Sequence, residues 1–342
     1  MSDSPRNNNK PLVSVIIPAY NAERLVLQTV QSALGQTYPA VEIVVVNDGS
    51  KDNTEGVLKP FADAGKIVCI RQENQGQAAV RKNGFLASKG KYISFLDADD
   101  LIPPEKIAIQ TEYMEANPDC GVCYSDIYHF WHHEPSVMLK KKLEYHSGYI
   151  FNKLIKNNVI QVMTALIRRD ALEKYGVPGA EFRRSDDWYL WLNLAYNGVK
   201  FCFLDKVLAF QRRQREGTLS DQRTYFKETA ETNLRVYDHY SKILSEEEKK
   251  KYDLQGLINF WYYRLAIGHI ILGDRVSAKS ALAQFKSSGA KDRIKKLFLN
   301  TIITIVPARL LGNLILMVRE WRKRSSFEIV KHPQVLPPGV SV

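Results

Sequence analysis

Short, nearly unbroken apolar runs alternate with amphipathic stretches through the first hundred residues. Residues 13–17 form one such run, ended by Pro18. Leu25, Thr29, Val30, Ala33 and Leu34 then repeat near a period of 3.6, which predicts a helix with Asn21 placed to cap it. A second β-branched run, 41–46, stops at Asn47-Asp48-Gly49-Ser50, and Asp52-x-x-Glu55 reads as a capping box opening the next helix. Residues 66–70 and 91–96 supply two more strands, with a helical stretch over 77–88 between them. Apolar strands separated by helices predict an α/β fold: a mostly parallel, Rossmann-like sheet with helices on both faces. Such sheets bind ligands at the carboxyl ends of their strands, where Asp48 and Asp97 to Asp99 fall.

The pattern then changes. Residues 104–116 read as a helix, 122–150 as a strand and irregular hairpin, and 149–176 as a helix plus a buried strand ending at Arg168-Arg169. Ser185-Asp186-Asp187-Trp188 opens another amphipathic segment. From about Tyr225 the chain reads as helical. Small residues at helix crossings over 261–288 resemble one tetratricopeptide-like pair, with an ordinary helical hairpin as the alternative. Residues 297–318 are strongly apolar, but Asn300, Pro307, Arg309 and Asn313 interrupt the roughly 20 apolar residues a spanning helix needs. Lys291, Arg293, Lys295 and Lys296 precede this segment, and Arg319, Arg322, Lys323 and Arg324 follow it. An apolar body with basic edges predicts a helix pair lying on an anionic membrane surface; the alternative is a helix buried on the domain. The expected division is therefore a disordered N-terminus over 1–10, an α/β domain over 11–222 and a helical region over 223–290. Basic apolar helices over 291–326 and a disordered tail over 327–342 complete it.

Charge sharpens that division. Residues 1–220 hold 27 Lys and Arg against 25 Asp and Glu, whereas 221–342 hold 21 against 12. The basic excess thus sits beside the apolar tail, and no nucleic-acid motif accompanies it, which argues against a nucleic-acid partner. The first ten residues are polar and read as neither signal peptide nor anchor. Four cysteines make no dense disulfide framework in 342 residues, so a reducing, cytoplasmic setting is expected. Cys120-x-x-Cys123 with His129, His132 and His133 raises structural zinc, but no second C-x-x-C exists and buried thiols are the better reading.

Two acidic clusters carry the chemistry. Phe95-Leu96-Asp97-Ala98-Asp99-Asp100 follows a strand-like run, and a D-x-D there can hold a divalent cation against a diphosphate, because hard cations prefer oxygen ligands. The carboxylate pair Asp186-Asp187 lies far downstream and can take a proton from an incoming hydroxyl. Together they suggest group transfer from a nucleotide diphosphate to an acceptor.

The order PLVSVIIPAYNAE, EIVVVNDGSKDNT, ENQGQAAVRKNG, GKYISFLDADD and SDDWYLW, spread over residues 11–220, resembles the family 2 glycosyltransferases, enzymes of GT-A fold. The resemblance implies inverting transfer from a sugar nucleotide, most often a UDP-sugar, to a hydroxyl of a glycan, lipid or polysaccharide precursor. It places Pro18, Ala19, Tyr20 and Asn21 along the nucleoside and Asp48 on the base. Gly76 and Arg81 would close over ribose and diphosphate, with Asp97 and Ala98 at the ribose. Asp99 becomes the ligand of Mn or Mg and Asp187 the general base, and Trp188 beside it offers a stacking surface for the acceptor or the donor sugar.

Two departures stand out. Arg81-Lys82-Asn83-Gly84 replaces the family's Arg-Asn-x-Gly. Arg212 to Ser220 replaces a closing motif whose His helps hold the metal, and Arg215 stands where that His would be. A guanidinium is no metal ligand, so Arg213 and Arg215 are expected on the diphosphate instead. The departures also admit a non-catalytic nucleotide-sugar binder or membrane scaffold; a nucleotidyltransferase would need a glycine-rich N-terminal loop. A peripheral place on the inner face of the cell membrane follows from the tail.

Overall fold

The computed structural model describes residues 10–141, 144–182, 184–213, 223–286, 290–306, 308–325 and 327–330. Its strands are β1 (Val13–Ala19), β2 (Val41–Asn47), β3 (Val68–Arg71), β4 (Tyr92–Phe95), β5 (Cys120–Trp131), β6 (Glu134–Lys140), β7 (Leu166–Arg168), β8 (Lys200–Arg213) and β9 (Glu328–Val330). One sheet holds them all, in the order β3-β2-β1-β4-β7-β5-β6-β9, with β8 paired to β5. β1 to β4 are parallel, and β7 then joins β4 and β5 antiparallel.

The helices that cover this sheet are α1 (Val26–Leu34), α2 (Thr54–Asp63), α3 (Gln77–Ala87), α4 (Lys106–Ala116), α5 (Phe151–Leu154), α6 (Arg169–Tyr175) and α7 (Asp186–Tyr196). Alternation along β1 sorts its side chains between two cores. Val13, Val15 and Ile17 pack with Val26 and Val30 of α1 and with Ile107 of α4. Ile16 packs on the other face with Val80 and Phe85 of α3 and Trp191 of α7. Both faces are buried, as the apolar runs require. α3 lies very close to β1: a Cβ on Gly84 would stand 2.4 Å from Ile16 Cγ2.

Several local expectations are corrected. β1 continues through Pro18, whose partner is Val46, to Ala19. α1 begins at Val26 with no side-chain cap, so Asn21 does not cap it. Asp52 accepts the Thr54 N–H, and the expected capping box is absent from α2. Cys120 and Cys202 form a disulfide with their Cα atoms 6.2 Å apart, while Cys123 is a buried thiol. The fourteen-residue β8, parallel to β5 from Cys120↔Lys200 to Trp131↔Arg213, was not anticipated.

Six helices follow the α/β unit: α8 (Tyr225–Ile243), α9 (Glu246–Lys251), α10 (Leu254–Ile271), α11 (Arg275–Ala283), α12 (Ala290–Ile305) and α13 (Ala308–Ser325). Val236, Tyr237 and Tyr240 of α8 share the core of Trp188 and Trp191, so this helix completes the α/β core. α10 and α11 form the helical hairpin read from 261–288. The chain then returns to the sheet. β9 pairs with β6 (Leu139↔Ile329), where a disordered tail was expected from residue 327. No described helix is long and apolar enough to cross a membrane.

Candidate active site

The site is assembled at the carboxyl ends of β1, β2 and β4. Asp48, just past β2, is buried and holds the following loop together. Its Oδ1 accepts Gln75 N–H (2.9 Å) and Gln72 Nε2 (2.7 Å), and its Oδ2 accepts Gly76 N–H (2.9 Å). Gly76 has φ +86°, a left-handed conformation that a side chain would strain, so glycine lets α3 start there. Beyond β1, Tyr20 is 47% exposed and Asn21 bridges to the β2–α2 loop, donating its N–H to Ser50 Oγ and accepting Lys51 N–H on Oδ1. Pro18 and Ala19 lie inside β1 with buried side chains, so of the four expected nucleoside neighbours only Tyr20 and Asn21 present side chains to solvent.

The two acidic clusters meet through one cation. Asp97 Oδ1 accepts Gln77 Nε2 (2.8 Å) and Arg81 Nη2 (2.7 Å), and Arg81 Nη1 donates to Asp186. Arg81 is buried, and its Nε has no partner. Burial alone would lower its pKa, but Asp186 and Asp97 outweigh that and hold the guanidinium protonated. Arg81 was expected on the diphosphate. Its Nη groups are instead spent on carboxylates, and it joins β4's acidic loop to α7.

Asp187 sits beside this bridge with a different environment. Its Oδ2 accepts Asn158 Nδ2 (3.1 Å) and its Oδ1 the Trp188 N–H (2.7 Å). Burial, then the neighbouring charge of Asp186, pushes its pKa up to about 6, against the pull of Arg81 and these two hydrogen bonds. Gln77, Arg81, Asp97, Gln161, Asp186 and Asp187 line a shared cleft.

Trp188 does not join that cleft. It is buried, its Nε1 donates to the Leu154 carbonyl (2.7 Å), and its ring packs edge-on against Tyr237. The expected acceptor-stacking ring is therefore a core residue, as is Trp191, because the α7 helix turns both indoles inward.

The D-x-D loop is fastened to the end of β8. Arg212 N–H donates to Asp100 Oδ1 (2.8 Å), and Arg212 Nε donates to the Asp99 carbonyl (2.9 Å). Ala98 accepts Thr29 Oγ1 on its carbonyl (2.8 Å). Arg213 Nε donates to His129 Nδ1 (3.4 Å), and its guanidinium covers the Phe327 ring at 5.3 Å. Arg215 lies outside the described residues. Burial, then the Asp97 charge, lifts the Asp99 pKa to about 6, and Arg212 and Arg213 offset this only in part. Burial, then the charges of Asp99 and Asp97, pushes Asp100 well above the usual carboxylate range.

A divalent cation suits this arrangement. Asp97 keeps Oδ2 clear of the Gln77 and Arg81 contacts, and Asp99 carries charge that its surroundings leave under-compensated. Among the described residues no cluster of three His, Cys, Asp or Glu side chains converges as a ready ligand set. A cation here would take most of its ligands from water and phosphate oxygens, as Mg does.

Sequence reading named Asp48, Asp97, Asp99 and Asp187, but not Gln72, Gln77 and Asn158, which bond to three of them, nor Gln161 and Arg184, which line the cleft. Gln77 follows the loop glycine and was open to inspection. Asn158 carries no local signal, since only folding brings it to Asp187.

Comparison with known proteins bears on the whole arrangement. The family described as Glycosyl transferase family 2 matches residues 14–176. The chain is 31% identical over 190 residues to WfaP of Escherichia coli, covering 55% of this chain and 72% of that one. WfaP is named a UDP-Glc:alpha-D-GlcNAc-diphosphoundecaprenol beta-1,3-glucosyltransferase, and WfgD of the same organism carries the same description at 31% identity, over 54% of this chain and 69% of its own. Among solved structures, S. aureus TarS 1–349 in complex with UDP-GlcNAc is similar with a TM-score of 0.60 at 16% identity, covering 94% of this chain and 97% of that one. The mannosyltransferase PcManGT of Pyrobaculum calidifontis, solved with GDP-Man and Mn2+, is similar with a TM-score of 0.56 at 17% identity, over 90% and 84% of the two chains. Both neighbours share the fold.

Proposed function

The chain belongs to glycosyl transferase family 2 and has the GT-A fold, and from that premise we propose that it transfers a sugar, with inversion, from a UDP-linked donor to a hydroxyl of a lipid-linked or glycan acceptor. The observation that carries this reading is the joining of the acidic loop at the end of β4 to Asp186, and so to the neighbouring Asp187, through a single buried arginine. Two acidic clusters are thereby fixed at one cleft.

Asp187 is the general base. With a pKa near 6 it is ionised at neutral pH yet a stronger base than an ordinary carboxylate. Asn158 and the Trp188 N–H hold its orientation. Removal of the acceptor proton by Asp187 lets the hydroxyl oxygen attack the anomeric carbon on the face opposite the diphosphate. Asp97 and Asp99 would hold a Mn or Mg ion, which would supply charge neutralisation for the departing diphosphate. The charge of Arg213 acts on Asp99 and would add to that neutralisation. Asp48 Oδ2, with one described donor, has capacity for the N3–H of uracil. The relatives' names support the donor and acceptor classes. A β linkage built from an α-linked sugar nucleotide is inversion, which those names also support. An acceptor of this kind would bring the enzyme to the inner face of the cell membrane.

The test is nucleotide release from a panel of sugar nucleotides, with and without a lipid-diphosphate sugar acceptor. Acceptor-dependent release of UDP from one UDP-sugar is expected. Donor binding without release from any of them would identify a non-catalytic binder.

A further inference from the structure

The last two helices carry apolar side chains on two faces, and among the described residues only one face is covered. Toward the bundle, Ile303, Leu311 and Ile315 pack with Ala266 and Ile270 of α10, and Gly312 lies close enough that a Cβ would meet Ile271 Cα at 2.9 Å. Leu310, Leu314, Met317 and Val318 point the other way, spaced as one stripe along α13 and from 42% to 67% exposed. Ile305 at the end of α12 is 73% exposed. Arg275 Nη2 donates to the Val306 carbonyl (2.5 Å), which brings the start of α11, with exposed Val276, to the same turn.

The sequence around this stripe is one-signed. Residues 286–331 hold eleven Lys and Arg against three Asp and Glu. Two copies meeting face to face on the stripe would bring these basic segments together, which like-charge repulsion disfavours. An anionic lipid surface complements both the apolar stripe and its charge. We propose that the α12–α13 hairpin docks on an anionic bilayer through Ile305, Leu310, Leu314, Met317 and Val318.

The placement has a consequence for the site, resting on the glycosyltransferase reading above. After α13 the chain turns into β9, and Phe327 packs edge-on against His129 (4.9 Å) beneath the Arg213 guanidinium. From Val318 to Phe327 the chain spans at most roughly 18 Å, at 1.5 Å per helical residue and about 3.5 Å per extended one. The lipid-facing stripe is thus tied, through Phe327, to Arg213, whose charge acts on Asp99. An acceptor whose lipid stays in the bilayer meets the site without leaving the surface.

Flotation of the full chain with phosphatidylcholine vesicles, with and without phosphatidylglycerol, tests the proposal. The wild type is expected to float with the anionic vesicles only and to be released by salt. Leu310→Glu/Leu314→Glu/Met317→Glu should weaken this binding by roughly tenfold or more, and the milder Leu314→Ser/Val318→Ser should weaken it partially while keeping the wild-type melting curve. Equal binding to neutral vesicles, unchanged binding by both variants, or a dimer that the substitutions split without any vesicle binding would overturn it. Nucleotide release measured without vesicles separates the two readings. Its loss in the wild type would remove the transferase reading while leaving the docking result to stand alone.

Discussion

Arg81 neutralises carboxylates from both halves of the site, with one Nη group on Asp97 and the other on Asp186. Breaking a buried pair leaves an uncompensated charge, so Asp186→Asn and Arg81→Met are each expected to cost about 3–5 kcal/mol in urea unfolding. Asp187 behaves differently. Its raised pKa means the folded state holds a proton between about pH 4 and 6 that the unfolded state has released, so its contribution to stability falls as pH rises through that window. Asp187→Asn should therefore raise the thermal midpoint at neutral pH, and a calorimetric scan at pH 7 checks it. The same carboxylate must be ionised to act, so kcat/KM is expected to fall about tenfold per pH unit below about pH 6. A pH–rate profile flat from pH 5 to 7 would remove Asp187 as the base. Residues such as Asp48, Asp97 and Asp187 were legible because each stands in a short motif at the end of a strand or the start of a helix. The bond from Arg81 to Asp186 crosses 105 positions, and no local pattern encodes it.

At the scale of elements, α3 carries Arg81 and must lie flat on β1. Gly84 permits this, since a Cβ there would stand 2.4 Å from Ile16. Gly84→Ala should cost roughly 1–3 kcal/mol by overpacking and, by lifting α3, lower nucleotide release as well. A stable variant with full activity would show that α3 can shift without moving Arg81. The four parallel strands were readable because both their faces are buried and their apolar runs are continuous. β8 was not. Asp205 and Lys206 break its pattern, and its pairing with β5 shifts register twice near Asp126, so neither period is kept for long. Asn21 misled for a related reason: as a residue tolerant of φ near +47° it serves the loop, where a helix cap and a turn look alike in sequence.

Across the whole molecule, the GT-A fold and its helical extension were legible from the order of motifs and the late basic excess, but their joining was not. Tyr237 and Tyr240 of α8 complete the core around Trp188, and β9 closes the C-terminal helices back onto β6. These contacts are long-range, and three residues of strand after a helix leave no period to read. Chelation is expected to suppress transfer, since the charge of buried Asp99 is only partly offset without a cation; full activity in excess chelator, or in Asp99→Ala, would remove the metal from the site. The most direct test of the central claim compares sugar transfer and donor affinity in the wild type and Asp187→Asn. Transfer should drop by roughly 10²- to 10⁴-fold while the donor Kd stays within about twofold. An unchanged rate, or a loss of donor binding that parallels the loss of rate, would contradict Asp187 as the base.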